Sequence, residues 1–217
     1  MGLKSFLLDL LFPVECLGCR QESVWLCPAC CKKLKFGTEY KTLNLTTPFL
    51  DRVFIAGDYD DPLLKELIKK FKYDFLTALS QPLGKFLILF WQGQLALIDP
   101  LPDKTLLIPV PLTKKRLRWR GFNQAEMLAR ELSAAFPYAL RQDLKRQKYS
   151  RPQAGLSETE RALNIKQAFF WSGDTLNGRT IILLDDVITT GATLSEAARV
   201  LKEAGAARIY ALVLAKG

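Results

Sequence analysis

The sequence predicts an α/β protein with a mostly parallel sheet, preceded by a small cysteine module. Three observations carry this. From residue 51 onward, apolar runs of strand length alternate with helical patterns. All five cysteines fall between Cys16 and Cys31. The chain has 217 residues, 49% apolar and 24% charged, enough for a core that needs no disulfide staples. It carries 31 lysines and arginines against 22 acids, a net charge of +9, which points to phosphate-bearing partners. It has no histidine, which excludes a Ser-His-Asp or Cys-His catalytic arrangement, a haem held by histidine and any histidine-containing zinc site.

Residues 1–12 read as an amphipathic helix. Asp9 interrupts the apolar run and no small-residue cleavage site precedes Glu15, so a secretory signal is not expected. Cys16-x-x-Cys19 and Cys27-x-x-Cys30 are two thiol pairs at the spacing of the halves of a tetrahedral zinc site, with Cys31 as an alternative to Cys30. Structural zinc on Cys16, Cys19, Cys27 and Cys30, in a reducing cytoplasm, is the expectation. The Thr-rich stretch 38–48 reads as a linker, dividing the chain into a zinc-ribbon-like module at 1–48 and a larger domain at 49–217.

In that domain the patterns predict strands at 53–56, 105–110, 169–171, 180–184 and 209–214, with helices over 62–79, 123–136 and 194–204. The apolar run 86–91 is far too short to span a membrane. The most informative segment is Ile181-Ile-Leu-Leu-Asp185-Asp186-Val-Ile-Thr189-Thr190-Gly191-Ala192-Thr193. Four aliphatic residues in a row make a strand buried on both faces, which leaves the acids at its carboxyl end, where open parallel sheets place ligands. Two carboxylates there can hold a hydrated divalent cation or accept bonds from sugar hydroxyls. The hydroxyls and amides of the following turn, at a helix N-terminus, form a phosphate cradle. A Walker-type reading fails, because Gly173 to Thr180 has Arg179 where lysine is required and enters a strand instead of joining a strand to a helix.

Residues 114–151 hold eleven basic residues and three acids, so most of the net charge lies there. Lys114 to Arg120 contributes five cations within seven residues, and reads as a cationic loop between a strand and a helix capped by Asn123. Arg116, Arg118 and Arg120, with the amides at Gly121 and Asn123, suit a pyrophosphate group. The same loop also suits nucleic acid, with Trp119 and Phe122 available to stack on bases. Farther on, residues 145–161 join a basic, turn-rich stretch to a capping box at Ser157 and Glu160, either a flap over the phosphate site or an exposed loop and surface helix.

The thirteen positions from Ile181 to Thr193 resemble the phosphoribosyl-pyrophosphate motif of type I phosphoribosyltransferases. The resemblance implies that Asp185 and Asp186 contact the ribose hydroxyls and the Mg²⁺ shell. It gives the 5′-phosphate to Thr189, Thr190, Gly191, Ala192 and Thr193. Together with Pro109-Val-Pro-Leu, Arg116-x-Arg-x-Arg-Gly-Phe-Asn-Gln124 and the block from Ser150 to Asn164, it makes the whole chain similar to the ComF family of competence-associated phosphoribosyltransferase-like proteins. Ser150 departs from the threonine usual there and keeps the hydroxyl. The resemblance implies pentosyl transfer from phosphoribosyl pyrophosphate with Mg²⁺, a zinc module, and a role in DNA uptake during natural transformation beside other DNA-uptake proteins. The alternative is a noncatalytic factor that binds single-stranded DNA, with a regulatory nucleotide pocket.

Overall fold

In a computed structural model of the chain, residues 14–37, 48–95, 101–102, 104–147 and 168–217 are described. The expected helix at 1–12, most of the linker at 38–48 and the capping box at Ser157 lie outside them. Five parallel strands form one sheet in the order β1-β7-β6-β2-β3. They are β1 (Arg52–Asp58), β2 (Leu106–Pro109), β3 (Ala139–Leu140), β6 (Thr180–Ile188) and β7 (Arg208–Lys216). Two further strands, β4 (Leu144–Arg146) and β5 (Phe169–Trp171), make a separate antiparallel ribbon.

Strand alternation builds two cores. Phe54, Leu107, Ile182, Leu184, Leu212 and Leu214 face one side of the sheet, where α2 (Pro62–Tyr73), α3 (Ser80–Gln94) and α5 (Gln124–Ala135) cover them. Val53, Ile55, Ile108, Ile181, Leu183 and Val213 face the other, under α6 (Ala192–Glu203) and the ribbon. Both faces of the sheet are therefore dry, as a parallel sheet requires. The cysteine segment, with the short helix α1 (Pro28–Cys31), belongs to the first core: Cys16, Leu26, Cys27, Cys30 and Leu34 are buried together with Phe54 and Leu64.

The expected helix over 62–79 ends early. Asp61 caps its start through the amides of Leu63 and Leu64 at 2.9 Å each, but Phe75 adopts a left-handed φ of 56° that no helix continues through. A 3₁₀ turn at Thr77–Leu79 then leads into α3, which the periodicity does not reveal. The physical reason is its exposed side: α3 packs beside α5, and where Gln81, Lys85 and Gln92 face water Leu89 does so too, so the sequence shows an unbroken apolar run over 86–91 and no clean period. Gly84 permits that approach, because a Cβ there would come within 2.6 Å of the Glu131 side chain on α5. The end of α3 is fixed where Trp91 Nε1 donates to the Tyr138 hydroxyl at 3.1 Å. Among the described residues, no helix is long and apolar enough to cross a membrane.

Candidate functional site

Strand β6 delivers the acid pair. It runs to Ile188, beyond the expected end at residue 184, so both acids lie within the strand near its carboxyl end. Ile181 and Leu183 face α6, whereas Ile182 and Leu184 face α2 and α5, and the same alternation turns Asp185 and Asp186 to opposite sides. Their partners agree with this. Asp186 Oδ1 receives Lys72 Nζ of α2 at 2.9 Å, with both side chains largely buried. Asp185 Oδ1 accepts the amide of Asp186 at 2.8 Å and lies in the fields of Lys72 and of Arg146 on β4. Burial first, and then the neighbouring Asp186 charge, push the Asp185 carboxyl up to about 7. An oxygen donor crowded in this way is one that a divalent cation would relieve.

That shift makes stability depend on pH. With a folded value near 7 and an unfolded value of about 3.9, the native state holds the extra proton between the two. Stability from this group is therefore full below about pH 4 and is lost as pH rises through about 7. Asp185→Asn in ligand-free protein is expected to raise stability at pH 8 by on the order of 2 kcal/mol after allowance for screening, and to change nothing at pH 4. Thermal melts at the two pH values check this, and equal shifts at both would contradict it.

After β6 the chain turns through Thr189 and Thr190, both exposed, into Gly191, whose φ of 76° is left-handed. Ala192 opens α6 and donates its amide to Thr190 Oγ1 at 3.4 Å, with Thr193 in the first turn. Hydroxyls and amides thus converge on the positive end of a twelve-residue helix.

The basic stretch is not the loop expected. Lys114–Arg120 forms a short helix, α4, because Thr113 caps it by accepting the Arg116 amide at 3.2 Å and Gly121 closes it with a φ of 82°. Lysine, arginine and leucine are good helix formers, and Arg118 and Arg120 lie in the last turn, where the helix dipole favours cations. The helix sorts the arginines by face. Arg116 and Arg120, four residues apart, lie on one side. Arg120 is 9% exposed and sits in the field of Asp186. Burial lowers its pKa, and its Nε has no hydrogen-bond partner among the described residues. Arg116 acts on both Arg120 and Arg146. Arg118 lies about 200° round the helix from Arg116 and is exposed. Asn123 is engaged in the fold: its Oδ1 accepts the Ala125 amide at 3.2 Å, and its Nδ2 donates to the Val110 carbonyl at 3.0 Å. Phe122 is turned inward against Phe71, with ring centroids 5.5 Å apart, so it is not available to stack on bases.

Lys72 of α2, Arg116 and Arg120 of α4, and Arg146 of β4, from three separate segments, therefore surround two carboxylates. The arrangement leaves positive charge to spare for an anionic ligand that brings its own cation. No local motif marks Lys72, which enters the site only through the packing of α2 on the sheet. A groove of about 610 Å³ between β5 and the far end of α6 is lined by Phe169, Trp171 and Glu203, and Arg146 lies over the Phe169 ring at 5.0 Å.

The cysteine segment forms a second constellation. A tight turn with a bridge between Glu15 and Glu22 presents Cys16 and Cys19, and α1 presents Cys27 and Cys30. The four sulfurs lie within 4.8 Å of one another, and Cys19 Sγ and Cys27 Sγ are 3.6 Å apart. A tetrahedral zinc thiolate site has sulfur separations of about 3.8 Å, so the set fits a metal such as zinc. Cys30 joins the group of four and Cys31 does not. Burial acts to raise the Cys16 thiol, but amides of Cys27, Gly18 and Cys19 and the Cys27 side chain outweigh it and bring Cys16 down to about 6. Burial pushes Cys30 up to about 12. The amides of Cys27 and Cys30 donate to Cys16 Sγ and Cys27 Sγ, each at 3.3 Å, an environment suited to thiolates.

Comparison with known proteins agrees with this architecture. Residues 120–217 match the phosphoribosyl transferase domain family. Competence protein F of Haemophilus influenzae is 33% identical over 208 residues, covering 93% of this chain and 90% of that protein. Competence protein ComFC of Bacillus subtilis is 37% identical over 143 residues, covering 65% of this chain and half of that protein. The DNA utilization protein YhgH of Escherichia coli is 30% identical over 171 residues, covering 78% of this chain and 74% of that protein. A relative of this identity aligned along nearly its whole length, together with a phosphoribosyl transferase domain on the parallel sheet and four clustered cysteines ahead of it, means that the chain belongs to the ComF family.

Proposed function

We propose that the chain binds phosphoribosyl pyrophosphate with Mg²⁺ at the carboxyl edge of its sheet and serves DNA uptake as a pentosyl transferase. One observation carries the reading: an acid pair, a Thr-Thr-Gly turn at a helix N-terminus and cations from three segments share a single sheet edge. In this reading Thr189 to Thr193 hold the 5′-phosphate through hydroxyls and amides, and Asp185 and Asp186 accept the ribose hydroxyls. Arg116 and Arg120 pair with the pyrophosphate. Mg²⁺, held toward Asp185, supplies neutralising charge to the pyrophosphate. The C1–O bond to pyrophosphate breaks with its electrons leaving on oxygen, and the acceptor nucleophile bonds to C1. The chain's contribution is positioning and charge stabilisation. The DNA-uptake role rests on competence protein F and ComFC, and the cytoplasm suits a reduced thiolate cluster with structural zinc.

Calorimetric titration with phosphoribosyl pyrophosphate, with and without Mg²⁺, tests the reading. Saturable binding that strengthens with Mg²⁺ is expected. No heat in either condition would overturn it. Binding without pyrophosphate release in the presence of any nucleobase would leave the regulatory pocket of a noncatalytic DNA factor as the better description.

A further inference from the structure

One ion pair in the site involves a residue that the sugar-phosphate reading leaves without a task. Lys72 stands in the last turn of α2, and its side chain and that of Asp186 are only 14% and 13% exposed where Nζ meets Oδ1 at 2.9 Å. A lysine on a surface helix ordinarily keeps its ammonium in water. Lys70 does so, pairing with Glu66 at 3.6 Å and Asp74 at 3.3 Å on its own side of the helix. Lys72 finds no acid there, because the residues three and four places before it are Lys69 and Ile68. It turns inward instead and reaches a carboxylate on the sheet. Phe71, fully buried beside it, packs on Phe122 with ring centroids 5.5 Å apart. That contact ties the end of α2 to the segment just after Arg120, which also lies in the field of Asp186.

Two arguments separate this pair from ordinary packing. A buried ion pair rarely stabilises a fold more than apolar side chains of the same volume, so stability does not account for it. Charge balance does not account for it either, since Arg120 already supplies a cation near Asp186. What Lys72 adds is direction. It occupies Oδ1, and among the described residues no hydrogen bond or ion pair engages Oδ2. Asp185, on the other side of the strand, has no such direct ion pair among the described residues, and its Oδ1 accepts only the Asp186 amide.

We propose that Lys72 is a positioning residue of the sugar-phosphate site: it fastens Asp186 to α2 through Oδ1 so that Oδ2 meets a ribose hydroxyl, and it denies Asp186 to the divalent cation, which is left to Asp185. The proposal rests on the phosphoribosyl pyrophosphate reading. Two chemically identical acids then have separate work, and the division is set by a helix that precedes them by more than a hundred residues. Without Lys72, a second carboxylate is free to draw the cation before any ligand arrives, and the sugar loses a fixed acceptor.

The test uses the full chain and two probes: Mn²⁺ alone, followed by electron paramagnetic resonance, and phosphoribosyl pyrophosphate with Mg²⁺, followed by calorimetry. Lys72→Met keeps the length of the side chain and removes its charge. It is expected to bind Mn²⁺ roughly tenfold more tightly than the wild type, and phosphoribosyl pyrophosphate roughly tenfold more weakly. A merely structural loss would weaken both. Lys72→Arg, which restores the charge, is expected to bring both values back toward wild type. With Asp186→Asn already in place, Lys72→Met is expected to change neither affinity further, and that double variant leaves no buried charge unpaired, which guards against a folding defect. Unchanged Mn²⁺ affinity in Lys72→Met would overturn the inference. So would an equal loss of phosphoribosyl pyrophosphate affinity in the Asp186→Asn background, which would mean that Lys72 touches the ligand itself. A wild type that binds no phosphoribosyl pyrophosphate would overturn the inference together with the reading beneath it, whereas wild-type binding that Lys72→Met leaves intact would overturn the inference alone.

Discussion

Replacing Cys16 and Cys27 together by serine is expected to unfold far more than the cysteine segment. The four thiols form a closed set, and the apparent binding free energy of structural zinc in small modules is about 10–16 kcal/mol. That is as large as the whole stability of an ordinary domain, about 5–15 kcal/mol. The effect cannot stay local, because Cys16, Cys27 and Cys30 are buried in the same core as Phe54, Leu64 and Phe86. Gly18 is equally tight, since a Cβ there would meet Cys30 Sγ at 2.7 Å and Leu63 of α2 at 3.1 Å. Elemental analysis is expected to find one zinc per wild-type chain and none in the double variant, whose melting transition falls sharply or disappears. A variant that keeps its zinc, or a zinc-free wild type with an unchanged melt, would contradict this.

The second large effect concerns the two faces of α4. Arg116→Ala and Arg120→Ala each remove a charge-assisted contact worth about 1.5–3 kcal/mol, roughly tenfold or more in phosphoribosyl pyrophosphate affinity, and the pair together about a hundredfold. Arg118→Ala, exposed on the other side of the helix, is expected to leave that affinity alone. Arg120 is buried against Tyr73, so its loss also disturbs packing. Arg120→Lys, which keeps the charge and loses the planar fork, distinguishes the two effects. Calorimetry on the three single variants decides the matter, and equal losses for Arg116, Arg118 and Arg120 would show that the sorting by face is irrelevant to binding.

What was legible in the sequence follows from which signals are local. The run from Ile181 to Thr193 displays its own chemistry, since buried aliphatics, acids and a glycine turn each have a short-range cause, and the strand and helix appear as that segment implies. The caps at Thr113 and Asn123 are equally local, although Thr113 turns the expected loop into a helix. Lys72 was illegible because an ion pair with a residue 114 positions away along the chain exists only through tertiary packing. Helix α3 was illegible for a different reason: Leu89, on its exposed side with Gln81, Lys85 and Gln92, completes an apolar run over 86–91 that hides the period by which helices are read. The choice between Cys30 and Cys31 needed coordinates, since adjacent cysteines share a spacing and differ only in which side of α1 they occupy.

The strand order has a consequence for how the chain is made. Strand β1 pairs only with β7 within the sheet, and at that seam Asp51 Oδ2 accepts the amide of Ile209, 158 residues away. At synthesis rates of about 5–20 residues per second, the ribosome needs roughly 8–30 s to make that distance. For that interval Val53 to Ala56, buried on both sides in the finished molecule, have no strand to pair with. Cysteine ligands and α2 are already available to shelter one side of this segment, while its hydrogen-bonding edge waits. The nascent chain is thus most exposed to mispairing at the strand it makes first, and the sheet closes only when β7 slides in between β1 and β6.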